Sequence, residues 1–503
     1  MIIVTIVLLF LLSIQTLVIL LKLPHRNQTP IKARSPPGPP GLPFIGNLHQ
    51  LASAKALHIY LWRLSRRYGP IIQLKLGSVP TIVISSAELA EQVMKAQDLA
   101  FCSRPNLVGP KKLSYNCVDM VFSPYGDYWR ELRKITAVHL LSMKKVRSFR
   151  PVREDEVFRM VSRVSSKPIV DLSHVAMALG NTLICRVAFG KRYDEEGYEQ
   201  RRFDKLLHDA QALLAAFYVS DYFPAFGWVD KISGMISRLE STFEKLDSFY
   251  QELIYEHMSK RRDGGALEDD ADILDVLIRL KEDKSCSVDL DWDVIKSLLT
   301  DIFIAASDTS TASIVWTMTV LIKAPHIMHK VQAEIRNTID AKGYVDEDDV
   351  PKLPYLKAVI NETLRLYPPA PMLVPRQTTQ KCFLGGYEIQ PKTLVYVNAW
   401  AVARDPQYWE NPHEFQPERF LNSNVDVKGQ DFGVIPFGSG RRICPGLHMG
   451  LANVELALAN LLYSFDWDLP PGVKPRDIDT DVLPGITTHK RNALVLVPKK
   501  YVP

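Results

Sequence analysis

The segment that most constrains this chain is Phe437–Gly446, which reads FGSGRRICPG. Gly438 and Gly440 let the backbone turn tightly and approach something flat or bulky. Cys444 stands immediately before Pro445, and a helical pattern follows; proline suits a first helical turn, where its missing N–H costs nothing. A cysteine at a helix start sits where backbone N–H groups and the helix dipole favour thiolate. The residues alone leave several roles for such a thiol: a nucleophile, a redox sensor, a metal ligand, or an ordinary buried side chain, since free cysteine is among the most buried residue types. The other cysteines, Cys102, Cys117, Cys185, Cys286 and Cys382, make no C-x-x-C and have no His-rich motif near any pair. That argues against zinc sites and redox dithiols and fits a reduced compartment.

At the other end, Ile2–Leu21 is a 20-residue run without a charge. At ~1.5 Å per helical residue it spans a bilayer's hydrocarbon. Its positive flank, Lys22, His25, Arg26, Lys32 and Arg34, follows the run, and no small-residue cleavage site is present, so an uncleaved anchor is expected in place of a signal peptide. The positive-inside rule leaves the remainder cytosolic. Residues 22–43 form a basic and proline-rich hinge, stiffened by Ser35-Pro-Pro-Gly-Pro-Pro-Gly41, and 44–503 are expected to form one large body. With 61 Lys+Arg against 56 Asp+Glu, the chain lacks the concentrated basic character of a nucleic-acid binder.

No internal repeat and no second long apolar span is evident. Three-and-four apolar spacing predicts helices over 203–217, 236–257, 292–322, 325–340, 355–366 and 447–465, and alternation predicts strands over 71–76, 81–84, 394–397 and 493–497. Residues 263–272, polar and acidic with Gly264-Gly265, read as an exposed loop. The fold class is therefore mainly α with small β-sheets. The 292–322 helix holds Asp301 and Asp308, too polar for a span, and is expected to run through the core.

Phe437, Gly440, Arg442, Cys444 and Gly446 match all fixed positions of the heme-binding signature of the cytochrome P450 family, which the chain resembles from the anchor to the C-terminus. The resemblance implies the cytochrome P450 fold with one N-terminal transmembrane helix, heme b as cofactor, and Cys444 as its axial ligand, the thiolate pushing electron density toward iron. It implies that Asn361-Glu-Thr-Leu-Arg365 and Pro417-Glu-Arg-Phe420 supply a buried Glu362–Arg365–Arg419 network that holds the cysteine loop. Ala305-Ala-Ser-Asp-Thr-Ser310 resembles the oxygen-activation motif, in which Asp308 and Thr309 relay protons; the residues by themselves also allow hydroxyls bonded to carbonyls one turn back. Ala306 stands where the family most often has glycine, which narrows the oxygen groove. Trp129 and Arg133 match the W-x-x-x-R pattern for a heme propionate, and Arg376 and Arg442 are further propionate partners.

No nucleotide-binding loop is present, so electrons are expected from a partner; the resemblance implies that this is an NADPH–cytochrome P450 reductase drawing on NADPH, received on a basic patch of Arg130, Lys134, Lys144, Lys145 and Arg147. The strings look most like plant microsomal members of specialised metabolism. They imply an endoplasmic reticulum enzyme with a cytosolic catalytic domain that uses O2, lies against membrane lipid and oxidises a small lipophilic metabolite such as a terpenoid or alkaloid. No nucleic-acid partner is expected. Residues 105–121, 213–220, 299–306, 370–374 and 483–487 are expected to wall an apolar pocket. Two alternatives remain at this point: a heme-thiolate isomerase or dehydratase without a reductase, and a non-catalytic heme-binding protein. An intact Asp308-Thr309 pair counts against both.

Overall fold

The computed structural model describes residues 35–193, 197–262, 271–284, 286–339 and 342–502. The expected anchor over 2–21, the hinge as far as residue 34, and residues 263–270 of the acidic loop lie outside them. Helices dominate, and the sheets are small. The longest helix, Trp292–Lys323, starts where the Asp291 side chain accepts from the Val294 N–H at 2.8 Å, an N-cap that satisfies one of the orphan donors of the first turn. It is apolar nearly all round, as a helix surrounded by others must be. One core is shared by this helix with Leu172–Phe189, Pro325–Thr338, Pro354–Leu366 and Leu447–Ser464.

Most predicted helices appear with ends shifted by a few residues: Tyr198–Leu214, Met235–Arg262, Pro325–Thr338, Pro354–Leu366 and Leu447–Ser464. Leu172–Phe189 is a correction. Among the described residues it and Trp292–Lys323 are both long and apolar enough to cross a membrane, so the sequence does hold further apolar spans. Both are mostly buried and pack on one another, because a helix at the centre of a large protein carries the composition of a membrane helix.

Ile71–Leu76 pairs antiparallel with Val79–Ile84, which runs parallel to Leu394–Val397; Arg376–Gln377 closes this four-stranded sheet. A second sheet joins Val170–Asp171, Val495–Lys500 and Phe465–Asp468. The proline segment is docked against the first sheet. The Gln73 N–H donates to the Pro37 carbonyl at 2.8 Å, and Asn47 and Gln50 side-chain amides donate to Pro39 and Pro40. The compact body accordingly begins at Pro36.

Candidate active site

The cysteine loop is held from several sides. The Cys444 N–H donates to the Phe437 carbonyl at 2.9 Å, and the Gly438 N–H to Ile435 at 3.0 Å. The Asp98 carboxylate accepts from the Arg441 N–H at 3.0 Å and from Arg376 at 3.1 Å, and Arg376 also donates to the Ser439 carbonyl at 3.2 Å. Gly440 has φ +68°, and a Cβ there would lie 2.0 Å from the Met94 carbonyl oxygen, so only glycine lets the loop close on that helix. Gly446 is less demanding: its φ is −87°, and an added Cβ would stand 3.9 Å from the Cys444 sulfur. Cys444 lines a cavity whose wall is otherwise largely apolar. Burial pushes its thiol up, outweighing the Gly446 N–H and the Arg133 charge that favour thiolate. The helix start thus favours thiolate, as expected, and burial opposes it.

Four arginines rim the cavity. Arg442 donates to the carbonyls of Cys102, Met120 and Ser123 and lies 4.1 Å over the Trp129 ring. The Trp129 N–H is itself spent on the Met120 carbonyl at 2.9 Å, so the indole is a platform for Arg442. Arg104, which sequence reasoning missed, donates to the carbonyls of Val121, Val374 and Pro375. Arg133 donates only to the Met120 sulfur, at 3.7 Å. Among the described residues none of Arg104, Arg133 and Arg442 forms an ion pair, whereas Arg376 is paired with Asp98. Arg376, which also lines the cavity, grips the cysteine loop through Asp98 and the Ser439 carbonyl.

Behind this rim, the Asp301 carboxylate accepts from the Met120 and Val121 N–H groups at 2.9 and 3.3 Å and meets the buried Asp119 carboxyl. Burial, and the charge of Asp119 beside it, push Asp301 well up; burial also raises Asp119. A proton shared between the two accounts for the Asp119 Oδ1, which is otherwise without a partner. The pair fastens the 119–122 loop, on which Arg104, Arg133 and Arg442 all lean, to the long helix.

Ala305, Ala306 and Thr309 of that helix face the cavity. The Thr309 hydroxyl donates to the Ala305 carbonyl at 2.9 Å, the one-turn-back bond. Asp308 points elsewhere: buried, it meets Nε2 of His489 at 2.5 Å. Sequence periodicity offered no signal for His489, which lies 181 residues away.

Glu362 and Arg365 are bidentate at 2.6 and 2.8 Å, and Arg419 joins at 3.2 Å, with side-chain exposures of 0 %, 0 % and 11 % that exclude an exposed helix pair. The network bonds the carbonyls of Ala403, Glu410, Asn411, Pro412 and Glu414, and touches no atom of 437–446 through the bonds it makes. Its link is Trp409, flanked by Arg365 and Arg419, whose N–H donates to the Gly433 carbonyl at 2.9 Å. The network thus ties down the 403–416 stretch and, through Trp409, the chain at Gly433, just before the cysteine loop.

Of the expected walls, Met120 and Val121, Asp301 to Ala306 in part, and Ala370, Leu373 and Val374 line the cavity; none of 213–220 or 483–487 does, and Leu483 and Ile486 are exposed. In the basic patch, Arg130 pairs with Asp127 and Lys134 with Glu131, while Lys144 and Arg147 are exposed.

A single thiol facing an apolar cavity rimmed by arginines, beneath a helix of small residues, defines the layout of a heme-thiolate oxygenase. The cytochrome P450 family model matches residues 36–497, and the chain belongs to that family. It is 48% identical to 6,7,8-trihydroxycoumarin synthase of Pastinaca sativa over 93% of this chain and 94% of the relative. It is 48% identical to 5-OH-xanthotoxin synthase of the same plant over the same shares, and 45% to cytochrome P450 71B37 of Arabidopsis thaliana over 96% of each. A zebra fish cytochrome P450 solved with abiraterone superposes with a TM-score of 0.74 at 23% identity, covering 89% of this chain and 100% of that one, which shows the fold. The chain is accordingly a plant-type monooxygenase with a heme-thiolate iron cofactor and electrons supplied through a reductase. The residues present fit that cofactor: three cavity-facing guanidinium groups lack a carboxylate, the wall is apolar, and a thiol is presented at the end of a fixed loop.

Proposed function

We propose that this enzyme hydroxylates a coumarin-type phenolic lactone, with Cys444 as the thiolate that would hold the heme iron. The observation that carries the substrate class is the near-full-length identity to two Pastinaca sativa relatives named for hydroxylated coumarins. The terpenoid or alkaloid expectation has no such support. A flat, apolar ring system suits a cavity walled by Val121, Ile302, Ala305, Ala370, Leu373 and Val374.

When bound, heme activates O2 for insertion of one oxygen atom. The chain's own residues do the rest. Arg104, Arg133 and Arg442, with Arg376 beside them, would hold the propionates, and Trp129 lies under Arg442; charge-assisted bonds make guanidinium the suitable group. The alanines at 305 and 306 leave room beside the helix, and the apolar wall excludes water from the reacting face. Thr309 Oγ1 presents a hydroxyl at the cavity, and Asp308, the preceding residue, would supply it with protons by swinging from His489. Lys144 and Arg147 receive the NADPH–cytochrome P450 reductase. Residues 2–21 anchor the enzyme in the endoplasmic reticulum membrane, with the body on the cytosolic side.

The test is a panel of mono- and dihydroxycoumarins and xanthotoxin, incubated with the full-length enzyme, a reductase and NADPH. An NADPH-dependent gain of one oxygen on a coumarin, lost in Cys444→Ser, is expected. Intact thiolate heme with no coumarin altered would refute the substrate class.

A further inference from the structure

We infer that His489 is the point at which protons enter the Asp308–Thr309 relay, acting through Asp308 as a positioning residue. The inference rests on the relay proposed above and extends it outward.

Asp308 does not line the cavity. Its Oδ1 meets His489 Nε2 at 2.5 Å, with side-chain exposures of 12 % and 23 %, so the imidazole is the more solvent-facing member. An imidazole N–H directed at a carboxylate is a charge-assisted bond, shorter and stronger than a neutral one. His489 is held in place from both sides. Its carbonyl accepts from the Leu483 N–H at 2.9 Å, and the preceding Thr488 donates its N–H to Pro369 at 2.8 Å and accepts from the Trp316 indole at 2.9 Å. Neighbouring cations on the hairpin are committed elsewhere: Lys490 to Asp479 at 2.8 Å, and Arg491 to the Val482 carbonyl at 3.1 Å. A purely structural pair would be served as well by lysine or arginine. Histidine differs in having two ring nitrogens, so it can give a proton at Nε2 and take one at Nδ1.

The step balances simply. The imidazolium Nε2–H passes its proton to Asp308 Oδ1, leaving neutral imidazole and a carboxylic acid. Asp308 then rotates from His489 to carry the proton toward Thr309 Oγ1 on the next residue, and the ring is reprotonated from water. Monooxygenation consumes two protons with O2 and two electrons from NADPH, yielding one hydroxyl and one water, so a fresh proton source is needed each turnover.

The test uses the full-length holoenzyme with its reductase: wild type, His489→Ala, His489→Gln and Thr309→Ala, each with an intact reduced-CO thiolate spectrum. NADPH consumption and peroxide release are followed in H2O and D2O, with and without xanthotoxin; both can be read whether or not a coumarin is oxidised. His489→Ala is expected to slow NADPH consumption by up to ~10-fold, below the ~10²–10⁴ of a general acid itself. It should also divert electrons to peroxide and raise the solvent isotope effect. His489→Gln keeps an N–H donor toward Asp308 yet cannot hand on a proton, so it should share the raised isotope effect. Wild-type behaviour in either His489 variant, with Thr309→Ala altered, overturns the proton-entry role and leaves the relay standing. Wild-type behaviour in Thr309→Ala overturns the relay and this inference with it.

Discussion

At the scale of single residues, the demand for glycine at 440 comes from the neighbouring Met94 carbonyl and not from the cofactor cavity. Gly440→Ala combines a left-handed backbone at φ +68° with a collision at 2.0 Å. Strain of this kind costs about 1–3 kcal/mol. The variant is expected to lose heme on dilution or warming faster than wild type, read from the decay of the thiolate-heme absorbance; equal retention would show that the loop has room to shift. The signature residues were legible because they fall within one run of ten consecutive positions, 437–446. Arg104, Asp98 and His489 were not, because they act through contacts between segments far apart in sequence, for which periodicity carries no information. Asp119 and Asp301 belong with them. Asp301 alone reads as an acid within the core helix, and only its meeting with Asp119 shows what it faces.

At the scale of elements, Pro354–Leu366 contributes two fully buried charges, and its Glu362–Arg365–Arg419 network ties down the 403–416 stretch. Removing the carboxylate in Glu362→Ala leaves Arg365 buried without its counter-charge, at a cost of about 3–5 kcal/mol. Denaturant unfolding should show that loss. A change under ~1 kcal/mol would mean that the network contributes no more than a surface pair. The i, i+3 spacing made the Glu–Arg pair visible in sequence, but its target was not, because the link to the cysteine loop passes through Trp409.

A second link joins Met235–Arg262 to Ile273–Asp283. His257 Nδ1 meets the Leu253 carbonyl at 2.8 Å and Nε2 the Asp272 carboxylate at 2.9 Å, so both ring nitrogens face acceptors. Burial opposes its charge, yet the Asp272 bond and charge raise its pKa above 6.5. A folded-state pKa raised in this way gives stability that is fully present below about 6.5 and lost as pH rises through the folded value. The melting-temperature gap between wild type and His257→Gln should therefore be widest in mild acid and narrow toward alkaline pH. A gap independent of pH would show that His257 is neutral.

At the scale of the whole molecule, the mainly α fold with small sheets could be read from periodicity, with several boundaries correct to a few residues. Core apolarity hid Leu172–Phe189, whose period is lost when every face is buried. The proline stretch looked like a spacer because no sequence rule shows a carbonyl accepting from a strand 36 residues on, as Pro37 does from Gln73. The site is assembled from all of these parts: a loop gripped by Asp98 and Arg376, a rim of arginines held by the 119–122 loop, and a central helix that presents alanines and one threonine.

On the proposed reading, the enzyme inserts one oxygen atom from O2 into a coumarin. The most direct measurement is the mass of the hydroxylated product formed under ¹⁸O₂ by the full-length enzyme with reductase and NADPH. One ¹⁸O atom in the new hydroxyl, absent without NADPH, is the predicted result. A product that carries no label, or that forms without NADPH, would contradict it.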